Sequence, residues 1–463
     1  MEKIRFYLAL YIAKTAQNML KLFKRNATYL PGKIAVTLCP DFLGYIGKPE
    51  TIIGVTGTNG KTTVCNMLND VLLDNGYDVL NNRLGSNINA GIASSLLEGC
   101  KWNGKTKKKI AVFEIDERSS KKIYPYVKPT YLVCTNLFRD SIKRNAHTEF
   151  IAEILDSSIP EQTKLILNAD DLISSHIAMK NERVYFGINQ LQEDTKESRN
   201  LVRDIIVCPI CHAKLKYDFV RYNHIGRAHC PNCDFSSPTN IDYLVTKLEM
   251  EQKTMAIQVK EKQEEEYPLI TNNIINVYNM LAMITVLREF GLTKEQLDVS
   301  IPKLKIVETR FSEEDIQGMK VIMHLAKGQN PIACSRVFDY VRKEEGNKAV
   351  VLLLDDLHEA AHSSENITWL YDCDFEFLNQ PEIKQIVVAG ARYLDDKVRL
   401  LLAGIPEEKI VCLREEMQIP EQLDLKQIDK IFILHDLYAF ELAKQVKEKI
   451  KQKIILEKEV TNK

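Results

Sequence analysis

From Thr51 to Val55 the chain reads Thr-Ile-Ile-Gly-Val, an apolar run without polar alternation, and it predicts a strand buried on both faces that leads into a glycine-rich turn. A helix is expected directly afterwards, from Thr62 to Asn75. Short apolar runs recur at Ile110 to Ile115, Tyr131 to Thr135 and Lys164 to Asn168, with helix-like segments between them, so the first class expected is a doubly wound α/β sheet. That rhythm breaks between Asp204 and Asp242, where four cysteines and several turn residues suggest a small insertion. It resumes in a helix over Asn272 to Gly291, whose apolar positions fall three and four apart. Past a hinge at Pro302 to Phe311 the pattern restarts, with strands at Ala349 to Leu354, Gln385 to Ala389 and Lys430 to Leu434 and helices at Leu394 to Leu402 and Tyr438 to Lys451. The boundaries expected are a helical segment over 1–45, a central α/β domain over 46–305 with an insertion at 204–242, and a Rossmann-like α/β domain over 306–463.

The amino-terminal segment carries Ile4, Leu8, Tyr11, Ile12, Leu20 and Phe23 beside basic residues. Lys14, Lys21, Lys24 and Arg25 interrupt any span able to cross a bilayer, and no cleavable signal core is present. Such a stripe usually packs on its own protein. The competing expectation is peripheral contact with a membrane surface. The charge run Glu261 to Glu266 is expected to be a solvated turn.

Composition narrows the class little. Of 463 residues, 45% are hydrophobic and 27% charged, which suits a soluble globular chain of two to four domains. A net charge of −1 leaves no overall field to recruit nucleic acid. Seven of the eleven cysteines (Cys39, Cys65, Cys100, Cys134, Cys334, Cys373 and Cys412) lie scattered without mutual spacing, the pattern of a reducing cytoplasm.

The segment Gly57-Thr58-Asn59-Gly60-Lys61-Thr62-Thr63 sits between the expected strand and helix, the context a phosphate-binding loop requires. Loop amides and the helix N-terminus would face the phosphates of ATP, Lys61 would reach the terminal ones, and the Thr62 hydroxyl would ligate Mg²⁺. The usual first glycine is replaced by Val55, with Gly57 extra. Cys208-Pro-Ile-Cys211 and Cys230-Pro-Asn-Cys233 form two knuckles with eighteen residues between them, the spacing of a structural zinc ribbon with no open coordination position. Arg221, His224 and Arg227 lie within it but form no basic stripe for nucleic acid.

The run Thr56 to Thr63 resembles the ATP loop of the Mur ligases and folylpolyglutamate synthases, and other stretches resemble the synthetase subunits of the MurT family over nearly the whole chain. Those stretches are Val112 to Glu117, Thr135 to Asp140, Ile275 to Asn279, Trp369 to Glu376 and Gly390 to Arg392. The resemblance implies that Glu114 holds a second Mg²⁺, that Asn168 and Asn276 face the adenine side, and that Arg310 reaches the nucleotide from the last domain. Each of these is otherwise an ordinary strand-end, capping or surface residue. The carbamylated lysine of Mur ligases has no clear counterpart, Lys143 and Lys164 being the candidates. The family's Lys-Asn-Pro-Ala-Gly stretch appears here as Lys327-Gly328-Gln329-Asn330-Pro331, and a glycine-aspartate-rich loop has become His358 to Ser364. By the same resemblance the reaction is ATP-dependent amidation of the D-glutamate α-carboxyl of lipid II through an acyl phosphate. Ammonia would come from a GatD-type glutaminase partner, whose histidine Asp372 would orient, with Asp355 and Asp356 as alternatives. Among the seven scattered cysteines none sits on the glycine-flanked turn of a glutaminase nucleophile. A stand-alone amino acid ligase is the competing expectation, disfavoured because only about 50 residues precede the loop where such enzymes carry a UDP-binding domain. A nucleotide switch without ligase chemistry is the other.

Overall fold

The computed structural model describes residues 2–139, 147–260, 263–305, 311–327, 330–354 and 367–461. Met1–Phe138, His147–Ser198 and Asp204–Ile306 cluster into one compact unit, and Arg139–Ala146, Arg199–Arg203 and Val307–Lys463 into a second.

The strands of the first unit are β1 (Thr51–Thr56), β2 (Val79–Asn81), β3 (Ile110–Glu114), β4 (Tyr131–Cys134), β5 (Lys164–Asn168) and β6 (Arg183–Ile188). The cysteine insertion then forms a separate antiparallel hairpin of β7 (Lys216–Tyr222) and β8 (Ile225–His229), and β9 (Tyr243–Glu249), β10 (Thr254–Val259) and β11 (Gln263–Pro268) return to the main sheet. Nine strands pair in the order β11-β10-β9-β6-β5-β4-β1-β3-β2, parallel from β2 to β9 and antiparallel beyond. The parallel strands are apolar because helices cover both faces: Ile52, Ile53 and Val55 of β1 are all at most 2% exposed. The chain builds β2 and β3 on one side of β1, then β4 to β6 on the other. The carboxyl end of β1 is therefore the topological switch point, where open α/β sheets bind ligands.

Two helices frame that point. Lys61–Asp74 follows β1, and Ile274–Phe290 packs against it with Val277 to Leu287 buried without interruption. The Asn273 side chain caps the second helix by accepting from Ile275 N at 2.9 Å, and Gly291, at φ 112°, ends it in the left-handed conformation.

Two sequence expectations change. The charge run includes a strand, since residues 263–268 form β11, with Glu265 buried against Arg288 (2.9 Å) while Glu264 and Glu266 face outward. Alternation along a charged edge strand puts only every second acid inward, and exposed charge there discourages edge pairing. The amino-terminal helix Glu2–Leu22 does pack on the unit, but through Phe6, Ala9, Leu10 and Ala13. Ile4, Leu8, Tyr11, Ile12 and Phe23 all point outward.

The second unit holds β12 (Phe311–Ile316), β13 (Met319–Leu325), β14 (Lys348–Leu353), β15 (Ile383–Ala389), β16 (Ile410–Leu413) and β17 (Lys430–His435), in the order β12-β13-β17-β14-β15-β16. All pairs are parallel except β12 with β13. The carboxy-terminal helix Phe440–Thr461 is tied to β12 by Lys447 and Lys451, each 2.7 Å from Glu314.

Candidate active site

The loop at the carboxyl end of β1 needs glycine twice. Gly57 and Gly60 have φ of 120° and 90°, a region that penalises any Cβ. Space forbids one as well, because a Cβ on Gly57 would stand 2.3 Å from Thr135 Oγ1 and one on Gly60 2.2 Å from Asn279 Oδ1. The segment after β4 grips the loop. Asn59 N donates to Asn136 Oδ1 and Asn136 Nδ2 to Asn59 O, both at 3.1 Å, while Thr135 Oγ1 donates to Asn59 O at 2.6 Å. Thr58 Oγ1 donates to Phe138 O at 3.0 Å and accepts from Phe138 N at 2.9 Å. These bonds preorganise the loop backbone.

Lys61 opens the following helix, its ammonium curled toward the Gly57 carbonyl and 2.8 Å from Glu117 Oε1. The same Glu117 oxygen accepts from Gly57 N at 3.0 Å. Burial works against the lysine charge, but the Glu117 carboxylate outweighs it and holds Lys61 above the ordinary lysine range. One residue on, Thr62 Oγ1 donates to Glu114 Oε2 at 2.8 Å, and the other Glu114 oxygen accepts from Asn87 at 3.0 Å. Asn82 fixes the Glu114 backbone through bonds of 2.9 Å to its N–H and carbonyl. A hydroxyl and a carboxylate are thus close enough to share one hard cation. Thr63 stands half-buried in the same helical turn.

The other expected residues fall as follows. Asn276 lies in the first turn of the helix Ile274–Phe290 and accepts at 3.2 Å from Asn279, the residue against Gly60, so it belongs to the loop's surroundings. Asn168 ends β5 fully buried, with Oδ1 accepting from Asp170 N at 3.0 Å and Nδ2 3.5 Å from the Thr135 carbonyl. Lys164 sits at the opposite end of β5, paired with Glu182 (2.6 Å) and Glu289 (3.0 Å), which suits a charged amine and not a carbamate. Asp372 closes a short helix of the second unit, 3.6 Å from Arg139. Arg310, Lys143, Asp355, Asp356 and the stretch His358 to Ser364 lie outside the described residues.

The four cysteine sulfurs, none in a disulfide, come within 4.8 Å of one another, and Ile210 N and Asn232 N each donate to a knuckle sulfur at 3.4 Å. Four thiols so placed could hold one metal ion.

Sequence reasoning missed what the attached hairpin does. From β7 Arg221 places its guanidinium between Asp194 (2.7 Å) and Asp170 (3.4 Å), and Arg227 of β8 reaches Asp170 at 3.2 Å. Tyr278 OH donates to Asp170 at 2.7 Å, and His224 at the hairpin tip lies 3.2 Å from Asp171. Burial alone would raise the Asp171 carboxyl, yet His224 and the Leu137 amide hold it below the ordinary aspartate range. The basic residues that form no stripe are consumed by this acid pair just past β5. Glu117 was missed too; its signal is an acid three residues beyond the strand-end acid Glu114. Asn136 stood in a recognised stretch without a role.

This sheet, loop and second α/β unit define a Mur ligase-type protein. The Mur ligase middle domain family matches residues 55–233. Solved structures share the fold: a pseudomurein peptide ligase type C from Methanothermus fervidus (TM-score 0.64, 22% identity, 89% of this chain and 81% of that one) and MurF from Thermotoga maritima in complex with ADP (TM-score 0.56, 17%, 92% and 85%). The MurT ligase C-terminal family matches residues 327–440. The lipid II isoglutaminyl synthase (glutamine-hydrolyzing) subunit MurT of Staphylococcus aureus (strain COL) is 30% identical over 411 residues, covering 88% of this chain and 90% of that protein. Its namesake from Streptococcus pneumoniae (strain ATCC BAA-255 / R6) is 29% identical, covering 92% and 93%. The chain belongs to the MurT family.

Proposed function

We propose that this chain is the ATP-using subunit of a lipid II isoglutaminyl synthase, and that it amidates the α-carboxyl of D-glutamate in the stem peptide. What carries the reading is the grouping of Lys61, Thr62 and Glu114 at the switch point of a MurT-family sheet. The loop amides from Gly57 to Lys61 bind the nucleotide phosphates, and Lys61 leaves Glu117 to neutralise the transferred phosphoryl group. The substrate carboxylate oxygen attacks the γ-phosphorus and ADP departs. Ammonia then attacks the acyl carbon, phosphate leaves, and a proton is released, giving D-isoglutamine. Thr62 and Glu114 would hold Mg²⁺, which would supply charge neutralisation at the phosphates. Asn276 and Asn168 border the nucleotide, and the Cys208, Cys211, Cys230 and Cys233 cluster would hold a structural zinc that supports the hairpin on Asp170 and Asp171.

Ammonia comes from a glutaminase partner. Burial pushes the Cys65, Cys134 and Cys373 thiols well above their ordinary range, which makes them poor nucleophiles. With lipid II and ATP, the purified chain should release phosphate when given ammonium and not when given glutamine alone. Hydrolysis of glutamine by the single chain would refute the two-subunit reading. An absence of lipid II-dependent turnover with ammonium would refute the ligase.

A further inference from the structure

The amino-terminal helix Glu2–Leu22 is apolar on both sides. Its inward face is Phe6, Ala9, Leu10 and Ala13, none more than 4% exposed. At about 100° per residue the opposite face carries Ile4, Leu8, Tyr11, Ile12, Met19 and Leu22. Those six are 75%, 57%, 48%, 42%, 55% and 78% exposed. Phe23 follows at 68%, and Trp102, 47% exposed, extends the surface by stacking on Tyr11 with ring centroids 6.1 Å apart. The residues interrupting this face, Thr15 and Asn18, are uncharged. A contiguous outward apolar surface of this kind marks a binding face.

Charge identifies the occupant. Residues 2–33 hold seven lysines and arginines against one acid, Glu2, and the 101–109 turn, which packs on the helix through Gly104 and Trp102, adds five lysines and no acid. The whole chain is nearly neutral at −1, so this is a local concentration of positive charge around an apolar surface. Lys14 is buried, and Lys21 and Lys108 pair with Glu98 and Asp78, whereas Lys3, Lys24, Arg25, Lys101 and Lys105 are exposed. Trp and Tyr beside Lys and Arg, around an apolar helix face, match the headgroup region of an anionic bilayer. Among the described residues no helix is long and apolar enough to cross a membrane.

We infer that the helix and the 101–105 turn form a peripheral membrane-binding surface, the helix lying along the interface with Leu8, Tyr11 and Leu22 immersed and the basic residues at the phosphates. Under the proposed function this docks the synthetase beside a lipid-linked substrate; the vesicle binding itself does not rest on that reading.

The test is flotation of the full chain, alone and with its glutaminase partner, with vesicles of phosphatidylcholine or of phosphatidylcholine containing about 30% phosphatidylglycerol. Trp102 is a natural reporter, because the other tryptophan, Trp369, is buried. The expected result is several-fold stronger binding to the anionic vesicles, weakened by salt, with a blue shift of tryptophan emission. The double variant L8E/L22E should lose at least about tenfold in binding with an unchanged melting temperature, since both side chains are exposed. K101E/K105E should weaken binding to anionic vesicles only. Absence of wild-type binding, or undiminished binding by L8E/L22E, overturns the inference. So does a self-association, or a partner affinity, that L8E/L22E abolishes in place of vesicle binding. Vesicle binding without amidation of lipid II would leave the surface standing and remove the catalytic reading.

Discussion

Lys61 and Gly60 show how tightly the loop constrains single residues. Lys61 is held charged by Glu117 at 2.8 Å, so its removal deletes a preformed cation and leaves the buried Glu117 carboxylate without its ion pair. Lys61→Ala should lower kcat/KM for lipid II-dependent phosphate release by about 10²–10³-fold in a protein that still folds, as circular dichroism would check, with a melting temperature lowered by the unpaired Glu117. Turnover close to normal would remove the lysine from the mechanism. Gly60→Ala is a different kind of lesion, because the new methyl would strain a φ of 90° and strike Asn279. It should cost about 1–3 kcal/mol of stability, read from denaturant unfolding, and weaken nucleotide binding as well. A variant as stable as the parent would show that the loop adapts.

At the scale of elements, the cysteine hairpin is anchored by polar bonds, whereas the carboxy-terminal helix buries Ala443, Val446, Ile450 and Ile454 and adds ion pairs to that packing. The small cluster of Leu172, Cys208, Leu215, Ala228, Cys230 and Phe235 is limited, so the zinc proposed for the four cysteines would supply folding energy. Metal analysis should find about one zinc per chain, and Cys230→Ser should lose it and expose the 208–233 segment to limited proteolysis. Metal-free, protease-resistant wild-type protein would contradict that. The carboxy-terminal helix leans on Glu314, which Lys447 and Lys451 pull down to about 2. A depressed carboxylate stabilises the fold above the unfolded value near 4.5, and the contribution disappears as pH falls toward 2. Glu314→Gln should therefore be less stable than wild type at neutral pH, by under about 1 kcal/mol because the site is half-exposed, and the gap should close in acid. Melting curves at several pH values would check it; a gap that widened in acid would have the wrong sign.

For the whole molecule, the proposed division of labour separates ATP chemistry from glutamine hydrolysis. Asp372, in the second unit and one-third exposed, is proposed to orient the partner's histidine as the third member of a triad. With the partner present, Asp372→Ala should lose roughly 10²-fold or more in glutamine-driven amidation and retain ammonium-driven amidation. Equal loss with both nitrogen sources would place Asp372 in the synthetase chemistry or in folding.

Much was legible because it is written in local pattern. Continuous apolar runs give buried parallel strands whatever surrounds them, so the sequence located β1, β3, β4 and β5 to within a residue or two, and with them the strand–loop–helix that holds Lys61. Fixed spacing likewise paired the two cysteine knuckles. Strands that run partly exposed left no such trace: β10 and β11 are held by pairing across the sheet, and an acidic run became an edge strand because alternate acids face outward. Tertiary structure alone could bring Glu117 to Lys61, set Asn136 around Asn59, and carry Arg221, His224 and Arg227 onto Asp170 and Asp171, since those partners stand 51 to 77 residues apart, farther than any periodicity spans. It also decided which side of the first helix faces the core. The apolar residues on its two faces differ little in kind, and only the surface available for packing chose Phe6 and Leu10 over Leu8 and Leu22.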